Sequence, residues 1–192
     1  MLNSSQRIIY YYQTFIPITL YLFTDPFITH IHLSSIHFGN NTNGTPYIHL
    51  NDFPPEDKQF DEVWKNMELS NKSGIKNILM IGGAGSAYHV LFSDFEVYYK
   101  LLYNTIKRYP IGGVDLDIEE YVNINDVKKL INRLDKDFGK DFIISMAPVS
   151  YALQSNSSGM GNFSYKTLYN SLEGQRINYF NGQFYGDYNY DA

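Results

Sequence analysis

In the segment running from Gly113 to Glu120, acids alternate with aliphatics: Asp115, Asp117 and Glu119 are separated by Leu116 and Ile118, with Val114 ahead of them. On a β-strand this period of two turns the three carboxylates to one face and the three aliphatics to the other. In a parallel sheet whose outer face is covered by helices, the aliphatic face meets the helices and the acids point inward. Three like charges in a row are costly to bury, and their mutual repulsion raises the proton affinity of at least one of them. That supplies a general acid. Glu119 is the expected donor, because it stands at the C-terminal end of the strand, where parallel α/β sheets bind their ligands. It lies two residues beyond Asp117, a rise of roughly 6–7 Å. Glu120 points the other way and reads as a surface residue or one leading into the next helix. The plain alternative is that such acids line a solvated face of an antiparallel sheet.

The surrounding elements decide between those readings. Strands are expected over 8–13, 29–38, 75–81, 113–119, 142–147 and 177–185, with a short extra strand at 47–50 after an Asn-, Gly- and Thr-rich turn at 39–46. Helical periodicity fills 60–69, 95–107, 125–138 and 165–172, and a loop over 155–162 precedes the last of these. In the third helix Val127, Leu130, Ile131 and Leu134 share a face, and Asn125 is the expected cap. Strands alternating with helices indicate βαβ units and a parallel sheet. About six such units are visible, whereas a closed (β/α)8 barrel has eight and typically spans ~250 residues. The fold class is therefore α/β, an incomplete TIM (β/α)8-type barrel, read as one domain over 1–192 and C-terminally truncated.

At 192 residues and 44% hydrophobic, the chain has enough apolar material for a substantial core without staples. The formal net charge of −5 is dispersed, with no basic block or stripe to follow a phosphate backbone, so nucleic acid is not an expected partner. Cysteine is absent, which removes disulfides, thiolate metal sites and cysteine nucleophiles. The apolar stretch from Phe15 to Phe23 is far shorter than a bilayer span and contains Pro17, so no membrane span is expected. Arg7 precedes that stretch in the manner of a secretory leader, but Gln13 and Thr14 interrupt the run. The expectation is a cytoplasmic or non-classically exported protein. The sequence leaves compartment and oligomeric state undetermined.

The run Gly112-Gly113-Val114-Asp115-Leu116-Asp117-Ile118-Glu119 resembles the Asp-Gly-x-Asp-x-Asp-x-Glu signature of glycoside hydrolase family 18, with Gly112 in place of the first acid. The resemblance extends over nearly the whole chain. Tyr11-Tyr12-Gln13-Thr14 is similar to the family's first strand, Thr29-His30 through His37 to its second, and Ile48-His49-Leu50-Asn51-Asp52 to a short strand of a fungal-type branch. Met80-Ile81-Gly82-Gly83 resembles the Ser-x-Gly-Gly motif, with Met80 replacing serine. Ser145-Met146-Ala147-Pro148 is similar to the end of the fifth barrel strand, and Gln183-Phe184-Tyr185 to the Gln-Phe-Tyr that ends the sixth.

The resemblance implies hydrolysis of β-1,4 bonds in N-acetylglucosamine polymers, chitin or the N-glycan core, with retention and no cofactor. Glu119 would protonate the glycosidic oxygen. Asp117 would orient the substrate's acetamido group and stabilise the oxazolinium ion formed when that group attacks the anomeric carbon, the substrate-assisted exception to the two-carboxylate scheme. Asp115 would hold Asp117 in charge, and Tyr185 would donate its hydroxyl to the acetamido carbonyl. Gln183, Met146, Gly82, Gly83 and Tyr11 would contribute to the substrate pocket. Two other readings stand beside this one. A chitinase-like lectin, or an inactive fragment, would keep the groove without turnover. A metal-dependent hydrolase would use His30 and His32, which share a strand face, but no second ligand cluster accompanies them.

Overall fold

The computed structural model describes residues 6–15 and 27–185. The apolar stretch that begins at Phe15 lies, beyond its first residue, outside the described residues, as does any leader or anchor reading of it. β-Branched and aromatic runs form strands β1 (Ile9–Tyr12), β2 (His30–Asn40), β3 (Pro46–Leu50), β4 (Lys76–Gly83), β5 (Gly113–Ile118), β6 (Ile143–Met146) and β7 (Tyr179–Phe180). Between them run α1 (Asp61–Lys72), α2 (Ala87–Ser93), α3 (Phe95–Arg108), α4 (Ile124–Phe138), α5 (Ser150–Gln154) and α6 (Tyr165–Tyr169). The sheet order is β1-β2-β4-β5-β6-β7, all parallel, with β3 antiparallel against the far half of β2.

This sheet curls into an open half-barrel, since side chains from its two ends meet inside it. Asn181, just past β7, donates to the Tyr11 hydroxyl of β1 at 3.0 Å. The Tyr179 hydroxyl of β7 lies 3.1 Å from His32 Nε2 of β2. Outside the curl, Val114, Leu116 and Ile118 join the core with Val127, Leu130, Ile131 and Leu134 of α4 and Tyr98, Tyr99 and Leu102 of α3. Each such aliphatic, fully withdrawn from water, contributes about 1.5–3 kcal/mol. Gly113 begins β5 because a Cβ there would lie 2.6 Å from Ile143 O and from Ile78 Cδ1. Only a bare backbone lets β4, β5 and β6 pack at that level.

The expected helices are present, with differences at their ends. The cap of α4 is Asn123 and not Asn125: Asn123 Oδ1 accepts the Asn125 N–H at 2.9 Å, and Gly139, at φ 80°, ends the helix. The helix expected to reach 172 stops at Tyr169, because the chain must fold tightly back on itself at Gly174, where a Cβ would come within 1.9 Å of Leu168 O. The strand expected over 177–185 is reduced to Tyr179–Phe180 and a single bridge from Gln183 to Val149. Asn178 Oδ1 takes the Ile144 N–H at 2.8 Å, and Gln183 N donates to Pro148 O at 2.8 Å while Pro148 has no N–H to return. Helices α2 and α5 are additions to the expected set. The first is capped by Glu120, whose carboxylate accepts the N–H groups of Tyr88 at 2.7 Å and His89 at 3.1 Å. No described helix is long and apolar enough to cross a membrane.

Candidate active site

The period-two reading of β5 predicts one inward acidic face, and the strand places Asp115 and Asp117 there at 0% and 5% exposure. Glu119 follows just beyond the strand end and is half-buried. Asp115 lies deepest. It accepts the Tyr11 hydroxyl on Oδ2 at 2.8 Å and the Ser145 hydroxyl on Oδ1 at 2.6 Å. Strand register explains the second contact, since Asp115 and Ser145 are direct partners in the β5–β6 pairing and therefore share a face.

Asp117 and Glu119 are joined by one amide. The two N–H groups of Gln183 Nε2 are shared among three acceptors, Asp117 Oδ1 at 2.9 Å, Glu119 Oε1 at 3.1 Å and the Ala147 carbonyl at 3.0 Å. Burial pushes the Asp117 carboxyl up to about 8, the negative charges of Glu119 and Asp115 push it the same way, and the Gln183 hydrogen bond offsets part of the rise. Near neutral pH this group therefore retains a proton. Beside it, Gly83 at φ 79° leaves space: a Cβ there would stand 3.7 Å from Asp117 Oδ2 and 3.3 Å from Met80 Cε. Gly82, at φ 96°, passes so close beneath β5 that a Cβ would meet Asp117 O at 2.3 Å.

The carboxylates of Asp117 and Glu119 open into a cleft of about 380 Å³ at the C-terminal ends of the strands. Tyr11, Gly83, Gln183 and Tyr185 line it, together with Ser34, Met80 and Asn181. Gln183 is 7% exposed but Tyr185 is 70% exposed, at the rim. Their shared face survives only loosely because the strand has already dissolved. Burial, and then the charges of Asp117 and Glu119, raise the Tyr185 phenol above its ordinary value.

Two expected pocket residues are placed elsewhere. Met146 is fully buried and, like its register partner Leu116, belongs to the core on the helix side of the sheet; its neighbour Ser145 is the inward residue. One residue of period two separates the expectation from the structure. Gly82 serves close backbone packing and does not line the cleft; Gly83 does. Ser145 and Asn181 escaped the sequence reading, and His32, weighed there only as a metal ligand, stands beside Asp115. Ser145 was legible in principle, being one residue from Met146, but recognising it required the register between β5 and β6.

The two histidines lie on the inner face of β2. His32 Nδ1 is 3.1 Å from Asp115 Oδ2, and His30 Nδ1 is 2.8 Å from the Thr29 hydroxyl. Among the described residues no group of three or more His, Asp or Glu side chains is arranged to hold a metal ion.

Fold and site together define a (β/α)-barrel protein with a ladder of carboxylates at its strand ends. No protein-family model matches the sequence, and no curated protein does. Solved structures match it closely. A chitinase from Aspergillus fumigatus is 32% identical with a TM-score of 0.86, over 95% of this chain and 68% of that one. A fungal endo-β-N-acetylglucosaminidase from glycosyl hydrolase family 18 is 34% identical with a TM-score of 0.85, over 96% of this chain and 68% of that one. A family 18 chitinase from Pseudoalteromonas aurantia, 22% identical with a TM-score of 0.72 over 95% of this chain and 69% of that one, shares the fold. The chain belongs to glycoside hydrolase family 18.

Proposed function

We propose that this chain cleaves β-1,4-glycosidic bonds in N-acetylglucosamine polymers, chitin or the N-glycan core, with retention of configuration and assistance from the substrate's acetamido group. The observation that carries this reading is the Gln183 amide, which ties Asp117 and Glu119 into one cleft while burial keeps a proton on the pair. Glu119 is the half-buried member, open to the cleft, and protonates the leaving oxygen. Asp117, held by Gln183, orients the acetamido nitrogen as the carbonyl oxygen attacks the anomeric carbon. Tyr185 at the rim donates its hydroxyl to that carbonyl. The names of the similar solved structures, a chitinase and an endo-β-N-acetylglucosaminidase, support the same substrate class.

The test is hydrolysis of a fluorogenic N-acetylglucosamine oligomer by the wild type and two variants. Glu119→Gln is expected to lose roughly 10²–10⁴-fold in kcat, the usual contribution of a positioned proton donor. Asp117→Asn is expected to lose turnover on acetamido substrates far more than on glycosides lacking that group. Unchanged activity in Glu119→Gln would remove the proposed donor. Binding of the oligomer without turnover by the wild type would assign the cleft to a lectin.

A further inference from the structure

Glu119 and Glu120 are neighbours in the chain, yet different elements hold their side chains. The Glu119 carboxylate reaches into the cleft, where it takes a share of the Gln183 amide at 3.1 Å. Because that amide is divided among three acceptors, it fixes Glu119 only weakly, and the place of the proton donor is inherited from its backbone. Strand β5 ends at Ile118, paired with Gly83 of β4. Beyond the strand the chain meets the 155–162 loop at Val122, whose N–H donates to Gly161 O at 3.2 Å. Glu119, Glu120 and Tyr121 cross the span between, and Tyr121 is 73% exposed.

Within that span the half-buried Glu120 grips the start of α2. Its two oxygens accept separately, Oε1 from the Tyr88 N–H at 2.7 Å and Oε2 from the His89 N–H at 3.1 Å. Two charge-assisted bonds to one stretch of backbone set a carboxylate's direction as well as its position. The helix start is in turn anchored on the sheet. Tyr88 is fully buried, its hydroxyl donates to Ile81 O at 2.8 Å, and a Cβ on Gly82 would come within 2.6 Å of its Cε2. Gly82 also lies against the Asp117 carbonyl. Glu120, Tyr88, Gly82 and Asp117 thus form a closed circuit of contacts around the strand end, and Glu119 rides on it. Ser86, at the N-cap position of α2, makes no side-chain cap of its own. A cap from Ser86 would serve the same N–H groups without touching β5; the carboxylate from Glu120 serves them and ties the two elements together.

We infer that Glu120 is a positioning residue: by clasping the start of α2 it sets the backbone that aims Glu119 into the cleft. The clasp stands on geometry, whereas its effect on turnover rests on the glycosidase reading. A displacement of about 1 Å at a reacting group can cost on the order of 10²-fold in rate. Here the loss falls on the step that needs a proton donor. The experiment therefore has two arms.

The first needs no substrate. The full chain is labelled with ¹⁵N, and the side-chain amide signals of Gln183 are followed by NMR. Glu119→Ala defines how they respond when the Glu119 carboxylate is removed. Glu120→Ala is expected to shift them in the same direction, and unchanged Gln183 signals would overturn the inference whatever the activity. Should Glu120→Ala fail to fold, Glu120→Gln, which keeps one acceptor oxygen, carries the same comparison.

The second arm compares two leaving groups on one N-acetylglucosamine oligomer. The unmodified oligomer must receive a proton as its bond breaks, whereas a dinitrophenyl derivative releases a stable anion without one. In single turnovers at saturating substrate, Glu120→Ala is expected to lose about tenfold or more on the unmodified oligomer and to stay within about threefold of wild type on the dinitrophenyl derivative. Adding Ser86→Asp, which caps α2 from its own end, is expected to restore stability and leave that selective loss in place. Equal losses on both leaving groups, or activity regained with Ser86→Asp, would mean that Glu120 merely stabilises α2 and would overturn its positioning role. A wild type that cleaves neither substrate would sink the glycosidase reading alone, because the Gln183 signals still decide whether Glu120 places Glu119.

Discussion

Asp117 shows how a single buried acid links stability to chemistry. Its carboxyl is raised from the ordinary 3.8 to about 8, so between those values the folded chain binds more protons than the unfolded one. The stability this group contributes is complete below pH about 4 and is lost as pH rises through about 8. Asp117→Asn removes the titration while keeping shape and the Gln183 contact. The wild type should therefore lose on the order of 5 kcal/mol relative to that variant between pH 4 and pH 8.5, about 1.4 kcal/mol for each unit of the rise. Urea unfolding across pH would measure it, and parallel profiles for the two proteins would show that Asp117 does not titrate in that window. On the proposed glycosidase reading, the same substitution is also expected to abolish acetamido-dependent turnover.

Among the elements, the joint between α4, β6 and β7 depends on one side chain. Arg176 donates to Asp135 of α4, to the Phe142 carbonyl, to Gly139 O at 2.9 Å and to Asn178 Oδ1 at 3.0 Å. The carbonyls it serves end a helix and precede a strand, where no ladder partner replaces it. Arg176→Ala should lower stability by roughly 2–4 kcal/mol, and Arg176→Lys should recover only part, because an ammonium cannot reach all these acceptors at once. Denaturant midpoints would show this, and equal stability of the three proteins would mean that water replaces the guanidinium. Because Asn178 leads directly into Tyr179, the loss should also loosen the segment that delivers Gln183 to the acids. Turnover should then fall faster than stability alone requires.

At the scale of the molecule the notable feature is an open curl. Among the described residues the outer edges of β1 and β7 have no strand partner. Beside β7 an apolar groove of about 670 Å³, lined by Leu153, Tyr165, Tyr169 and Phe180, lies apart from the carboxylates. Near it Leu153, Tyr169, Leu172 and Phe184 are 41%, 49%, 86% and 66% exposed. Exposed apolar patches and unpaired edges favour association. The isolated chain is expected to bind a hydrophobic fluorescent dye and to self-associate with concentration, and Leu172→Glu should weaken both. Sedimentation that shows a dye-silent monomer at every concentration would contradict this.

Much of the site could be read directly from the order of residues. Alternation of acid and aliphatic in Asp115-Leu116-Asp117-Ile118-Glu119 has one physical meaning on a strand, and the repeated strand–helix pattern made that strand part of a parallel sheet. Strand ends came within a few residues wherever a continuous apolar run marked them, as in β4 and β5. The partners of those acids did not follow from sequence. Ser145 and not Met146 faces inward because β6 registers Ser145 with Asp115, and His32 meets Asp115 because the sheet curls; neither register nor curvature is encoded in a local pattern. Likewise Gln183 reaches both catalytic candidates because its backbone, bonded to Pro148 O and the Ser150 N–H, carries the last strand on past β6 beside the acids. Local periodicity sets which face each side chain takes, whereas long-range packing sets what stands opposite it.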